Sequence, residues 1–134
     1  MDHNRQIRYR VSGGDTAWRP KAVRGLEMKR YGMTIRLKAG CEEAYRKHHA
    51  AVWPEVLEMI RTCNIENYSI FWKGDTLFSY FEYHGDNFDR DMARMSAHTK
   101  TQEWWAAIGP MQEPLETREP GEWWAEMAEV FHMD

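Results

Sequence analysis

Residues 45–53 place a histidine between two aromatic side chains. Tyr45, His49 and Trp53 are spaced four apart, so on a helix they share one side. An imidazole titrates near neutral pH and can give or take a proton without large tuning. We therefore take His49 as the candidate catalytic acid–base residue. The alternative is a packing histidine that bonds a backbone carbonyl. The neighbouring His48 points about 100° away on the same helix.

Aromatic residues supply the candidate binding surface, with seven Trp, six Tyr and five Phe in the chain. Trp beside polar groups suits sugars and other small amphipathic ligands, although such rings also build cores. Trp104 and Trp105 are adjacent, so we expect one to pack in the core and the other to border a pocket. The Tyr68 hydroxyl, in a predicted strand, could bond a ligand or serve the core.

The sequence lacks the motifs of most metal, cofactor and nucleophile enzymes. HExxH, CxxC, GxGxxG, GxSxG and the P-loop do not occur. His84, His98 and His132 are scattered, and no pair has metal-ligand spacing on one helix face. We therefore expect neither metal nor cofactor, and proton transfer on a small ligand as the chemistry.

The elements that must position these residues follow the order β-α-β-β-α-α-β. The predicted strands cover residues 31–38, 68–72 and 76–83, with a last strand ending at 130–132. The predicted helices are one from residue 42 that carries Tyr45, His49 and Trp53, with a kink or restart at Pro54, then 86–95 and 99–108. Residues 109–122 contain three prolines and are predicted to form a loop.

This order predicts an α+β fold: a ferredoxin-like antiparallel sheet with helices on one face. The third strand is apolar on both faces, with Phe78 and Tyr80 on one and Leu77, Phe81 and Tyr83 on the other. A second copy of the chain could cover the face that the helices leave open. We therefore predict a homodimer formed partly through the sheet.

The composition changes near Met28. Residues 1–27 carry a net charge of +3, whereas residues 28–134 carry −6. The first segment has no sustained hydrophobic period. We interpret it as an N-terminal arm, disordered or partly ordered, or as the product of a start codon placed too early. Residues 28–134 form the predicted domain.

Length and composition narrow the class of protein. A chain of 134 residues and 16.0 kDa suits one domain. No apolar run approaches the ~18 residues of a membrane span, and no secretory signal is visible. A net charge of −3 without a basic stripe argues against nucleic acid. Cys41 and Cys63 flank a predicted helical segment and are too far apart to pair, which favours the cytoplasm.

The segment YRKHHAAVWPE at residues 45–55 resembles the YxxxHxxxWPE segment of the L-rhamnose mutarotase family. Three later segments resemble further family landmarks in the same order: NYSI at 67–70, Trp104-Trp105, and EVFH at 129–132. The resemblance runs from about Met28 to the C-terminus. Two departures are Ala39, where a proline is frequent, and the loop 112–122, which leaves the choice of sugar open.

The resemblance implies a dimeric ferredoxin-like α/β barrel that interconverts the anomers of a 6-deoxysugar, with L-rhamnose expected and L-fucose as the alternative. It implies that His49 is the proton donor. From the chemistry of ring opening we expect His49 to protonate the ring oxygen, and a hydroxyl of Tyr45 or Tyr68, or a bound water, to relay the second proton. The sugar contacts that the resemblance implies are Tyr45, Tyr68, Trp104 and Trp105, to which we add Trp53. From another class, dimeric α+β barrels also include haem-binding modules, small monooxygenases and ligand-binding modules.

Overall fold

A computed structural model describes residues 28–134, so the arm predicted for residues 1–27 lies outside the described residues. The strands are β1 (Lys29–Leu37), β2 (Ile65–Lys73), β3 (Thr76–Tyr83), β4 (Gln112–Glu113) and β5 (Ala125–Met127). The helices are α1 (Glu42–His49), α2 (Pro54–Thr62), α3 (Phe88–Ala97) and α4 (Thr99–Ile108), and a 3₁₀ turn at Gly109–Met111 leads into β4. None of these helices has the length and apolarity that crossing a membrane requires.

The strands form one antiparallel sheet in the order β2-β3-β1, with β4 and β5 both paired to the far edge of β1. β4 pairs with Arg36 and Leu37, while β5 pairs with residues 32–34. The two short strands therefore act together as a discontinuous fourth strand. This arrangement confirms the predicted α+β, ferredoxin-like order.

The two faces of the sheet differ as the alternation in β1 predicted. Tyr31, Met33, Ile35 and Leu37 are each at most 3 % exposed and join the core beneath the helices. Burial of apolar surface on this face stabilises the fold by about 25 cal/mol for each Å² removed from water. On the other face, Phe78 is 36 % exposed. Within residues 28–134, the helices therefore cover only this face, which places the core and the cavity of the described domain on that side.

One prediction about the first helix is wrong, because Tyr45, His49 and Trp53 do not all lie on it. α1 ends at His49, and α2 begins at Pro54 with Trp53 as its N-cap. The residue before a proline is pushed out of the helical region, and Trp53 is extended at φ −61° and ψ 135°. The restart predicted at Pro54 is confirmed, but Trp53 lies between the two helices and not on α1.

β2 carries a bulge that the alternation did not predict. Its pairing with β3 shifts between Glu66 and Ser69, and Asn67 lies in the left-handed region at φ 50°. The Asn67 amide donates to a Glu82 carboxylate oxygen across the sheet at 2.7 Å. The bulge leaves Tyr68 on the helix side of the sheet, where its ring stacks on Phe81 at 5.5 Å.

The C-terminal strand is displaced from its predicted position. β5 ends at Met127, opposite Gly32, and no strand forms at residues 130–132. An ion pair at 3.1 Å still holds Glu129 to Arg30, but the ladder with β1 has already ended at Met127. Val130 is consequently 95 % exposed. Residues 109–122, predicted to be a loop because of their three prolines, also contain the short strand β4.

Candidate active site

A cavity of about 800 Å³ lies on the helix side of the sheet, a size typical of small-molecule sites. Five of the six predicted site residues line it: Tyr45, His49, Tyr68, Trp104 and Trp105. They come from α1, β2 and α4, three elements that are distant in sequence. Much of the remaining wall is apolar and includes Val56, Ile60, Met92, Met95 and Ile108.

His49 presents one nitrogen to the protein and keeps the other for a ligand. Its Nδ1 lies 2.8 Å from the backbone carbonyl oxygen of Tyr45. A carbonyl only accepts, so Nδ1 carries the proton and, in the neutral ring, Nε2 holds the lone pair. Burial lowers the pKa of His49, although the bond to the carbonyl opposes this shift. The resting imidazole is therefore neutral at pH 7 and can accept a proton at Nε2.

The rings around His49 fix its orientation. Tyr45 stacks on the imidazole with centroids 4.1 Å apart, and Trp104 meets it edge-on at 5.3 Å. Trp53 packs edge-on against Trp104, also at 5.3 Å, but is not among the residues that line the cavity. The structure thus places Trp53 behind the wall, where it supports Trp104.

Both tandem tryptophans border the cavity. Trp104 is 5 % exposed and Trp105 is 9 % exposed, and each lines the wall. The expectation that one of them would only pack in the core is therefore wrong. Neighbours on a helix point about 100° apart, and a concave cavity at the helix flank receives both directions.

Two tyrosine hydroxyls line the cavity in protonated form. Burial raises the pKa of Tyr45 well above its usual range. Tyr68 is 41 % exposed overall, yet its hydroxyl is surrounded by protein atoms, and this burial raises its pKa to about 12. At neutral pH both groups keep their protons, so each can donate a hydrogen bond to a ligand.

The sequence missed a polar side chain at the centre of the site. Gln112 is 2 % exposed and its Nε2 donates to the Tyr45 hydroxyl oxygen at 3.0 Å. The indole N–H of Trp123 donates to Gln112 Oε1 at 2.8 Å. Trp124 and Thr101 also line the cavity. Gln112 lies in the segment predicted as a loop, where no periodicity marks an inward-facing residue.

Within residues 28–134, no group of three His, Cys, Asp or Glu side chains is arranged to hold a metal ion. The cavity instead combines one imidazole, two phenols, two carboxamides and the charged side chains of Arg61 and Glu66 with aromatic and aliphatic walls. Such a set can move protons and hold the hydroxyls and apolar faces of a small molecule.

Comparison with known proteins places this chain in a family. A sequence profile of L-rhamnose mutarotase matches residues 30–133. The L-rhamnose mutarotases of Phocaeicola vulgatus and Bacteroides thetaiotaomicron are 36 % and 32 % identical over 109 residues, which is 80 % of this chain and all of each relative.

Two solved structures share the fold. The L-rhamnose mutarotase of Formosa agariphila matches with a TM-score of 0.62 and 23 % identity, over 79 % of this chain and 99 % of that one. Tetracenomycin F2 cyclase of Streptomyces glaucescens, a type-II polyketide cyclase, matches with a TM-score of 0.57 and 16 % identity over the same shares. At these identities the two structures support the fold alone.

Proposed function

The chain belongs to the L-rhamnose mutarotase family, which makes it an isomerase that interconverts the α and β anomers of the sugar, and we propose that His49 carries the proton in this reaction. The observation that supports this role is that His49 lines the cavity with Nδ1 bonded to the backbone, which leaves the Nε2 lone pair for a ligand. Family membership favours L-rhamnose over L-fucose, and an isomerase over a haem-binding module or monooxygenase.

Mutarotation moves one proton out and one proton in. Ring opening removes a proton from the anomeric hydroxyl, breaks the C1–O5 bond and adds a proton to O5. Neutral His49 accepts the first proton at Nε2, and the imidazolium then delivers it to O5 as that bond breaks. The aldehyde rotates about C1–C2, and the same steps in reverse close the ring on its other face. The imidazole ends as it began, so the proton count balances.

The remaining side chains of the cavity hold the sugar. Trp104 and Trp105 offer flat apolar surfaces for the methyl group and apolar face of a 6-deoxysugar. The protonated hydroxyls of Tyr45 and Tyr68 offer hydrogen-bond donors to sugar oxygens.

The function is tested by NMR exchange between the two anomeric proton signals of L-rhamnose, with L-fucose in parallel. We expect exchange above the spontaneous rate with the wild-type protein, and His49→Ala or His49→Asn to lose roughly 10²–10⁴-fold of the catalysed rate. His48→Ala is the matched control, because His48 makes the same 2.8 Å bond, from Nδ1 to the Ala44 carbonyl, but does not line the cavity. Full activity in folded His49→Ala would remove His49 from the mechanism.

We also propose that the chain forms a homodimer through the open face of the sheet. Phe71, Phe78 and Met127 are 61 %, 36 % and 48 % exposed on that face, and the two phenylalanines stack at 6.3 Å. Sedimentation analysis should give twice the chain mass for the wild type and a monomer for Phe71→Glu. The exposed Lys47→Glu on α1 is the control and should remain dimeric. A monomeric wild type would refute this interface.

We also propose that the protein is located in the cytoplasm. Cys41 and Cys63 are both free, and burial raises the pKa of the Cys63 thiol, which keeps it protonated. Thiol titration of the unfolded protein, prepared without reductant, should find two thiols per chain. A value near zero would indicate an oxidising compartment.

A further inference from the structure

The hydrogen bonds at Gln112 have only one consistent direction. An indole N–H can donate but not accept, so the Gln112 atom 2.8 Å from Trp123 Nε1 must be the carbonyl Oε1. The amide nitrogen then faces Tyr45, and its N–H donates to the phenolic oxygen at 3.0 Å. Trp123 therefore settles an amide orientation that geometry alone leaves ambiguous.

This direction leaves the proton of Tyr45 without a partner in the wall. The phenolic oxygen already accepts from Gln112, and within residues 28–134 its hydroxyl makes no other hydrogen bond. Tyr45 is 4 % exposed and lines the cavity, so the remaining direction for its O–H is the cavity itself. A buried hydroxyl that makes no hydrogen bond is energetically unfavourable, which favours a ligand oxygen at this position.

We propose that Gln112, held by Trp123, is a positioning residue that fixes the Tyr45 hydroxyl as a hydrogen-bond donor to the ring oxygen of the sugar. The proposal deepens the proposed mutarotation and rests on it. A ring oxygen has lone pairs and no proton, so it can only accept. Tyr45 then supplies the donor and His49 Nε2 the acceptor, which matches the needs of O5 and the anomeric hydroxyl. As the C1–O5 bond breaks, negative charge grows on O5 and the donated bond strengthens.

Reversing the polarity of residue 112 tests the direction of these bonds. Gln112→Glu has nearly the same shape, and one oxygen of the new carboxylate can still accept from Trp123. Its other oxygen has no proton, so it would draw the Tyr45 O–H away from the sugar. Gln112→Met removes the donor without adding a competitor. We expect a loss in kcat of about tenfold for Gln112→Met and of about 10²-fold for Gln112→Glu.

The pH dependence separates this role from simple damage to the fold. A protonated carboxyl can donate to Tyr45 again, so the rate of Gln112→Glu relative to wild type should rise as pH falls. The other titratable groups that line the cavity are His49, Arg61, Glu66 and Tyr68. Of these groups, His49 lies nearest, because its ring stacks on Tyr45 at 4.1 Å. A carboxylate at residue 112 would raise the pKa of His49 and so lower the relative rate of the variant in acid. A rise of the ratio in acid therefore comes from the protonated carboxyl and not from His49. Gln102→Glu is the control, because Gln102 makes a comparable 2.7 Å bond, to the Ser96 carbonyl, outside the cavity.

Each outcome bears on one claim. No exchange by the wild-type protein would overturn the proposed function itself. An active wild type with equal losses in Gln112→Glu and Gln112→Met, or a ratio that does not change with pH, would overturn the positioning role. If Gln112→Glu does not fold, Trp123→Phe tests the same direction by unlocking the amide. We expect that variant to lose about threefold to tenfold in kcat with little change in KM, and an unchanged kcat would also overturn the proposal.

Discussion

The carboxylate of Asp91 is 0 % exposed, and its removal should destabilise the domain more than any surface change. One oxygen accepts from the Tyr83 hydroxyl and from the Asn64 amide at 3.0 Å, while the other accepts from Arg94 at 3.1 Å. These partners stand on the end of β3, the turn after α2, and α3 itself. The network therefore ties both layers of the fold at one point.

The cost follows from these contacts. Hydrogen bonds to a charged group contribute roughly 1.5–3 kcal/mol each, but three bonds to one carboxylate are not additive. Deleting one partner of a buried charge network typically costs about 3–5 kcal/mol. We expect Asp91→Ala to lower the free energy of unfolding by that amount, out of roughly 5–15 kcal/mol for a domain.

Urea denaturation measures this change. With an m value of about 2 kcal/mol/M, the midpoint should fall by roughly 2 M. Asp89→Ala is the matched control, since Asp89 is an exposed acid in the first turn of the same helix. A loss below about 1 kcal/mol for Asp91→Ala would refute the buried network.

Acid provides a second test of the same carboxylate. Burial opposes ionisation, but the hydrogen bonds from Tyr83, Asn64 and Arg94 outweigh it and lower the pKa of Asp91. A lowered folded-state pKa means that the carboxylate stabilises the fold above the unfolded value of about 3.9. This contribution disappears as pH falls through the lowered pKa. The stability difference between wild type and Asp91→Asn should therefore shrink below pH 4, and a constant difference would count against it.

Three further predictions follow from named contacts. Gly85→Ala would drive a Cβ into the Tyr83 hydroxyl and the Asp91 carboxylate, so thermal denaturation should show a loss of about 1–3 kcal/mol, and an unchanged melting temperature would contradict that packing. The kcat/KM for L-rhamnose should be level near neutral pH and fall as pH drops through the pKa of His49, which burial sets below 6.5; a rate that instead rises in acid would mean that the protonated ring is the active form. At the β2 bulge, Asn67 lines the cavity and lies in the left-handed region. Asn67→Gly and Asn67→Ala both lose its amide and the bond to Glu82, but only Asn67→Ala adds about 1 kcal/mol of backbone strain, so KM measurements should show the larger defect for Asn67→Ala.

Local periodicity was sufficient for most of the fold. The alternation of β1 predicted which of its side chains are buried, because one face of a sheet packs on helices and a shift of one residue would reverse every side chain. Residue spacing gave a wrong prediction for Trp53, because the four-residue spacing of Tyr45, His49 and Trp53 indicated one continuous helix. The conformation that Pro54 imposes on the preceding residue outweighed that spacing.

The missed residues are those whose role depends on distant partners. His49 could be singled out because its chemistry is visible in its own type and in the aromatic residues nearby. Gln112 contacts Tyr45 across 67 positions and Trp123 across 11, and nothing in the loop sequence marks either contact. A glutamine in a loop is ordinarily solvated, and only the closed fold removes this one from water. Once it is buried, its hydrogen bonds must be satisfied, and the direction of those bonds leaves the Tyr45 hydroxyl as a donor toward the cavity. Local sequence thus predicted His49 as the candidate proton-transfer residue. The direction in which Tyr45 donates follows only from contacts that exist in the folded chain.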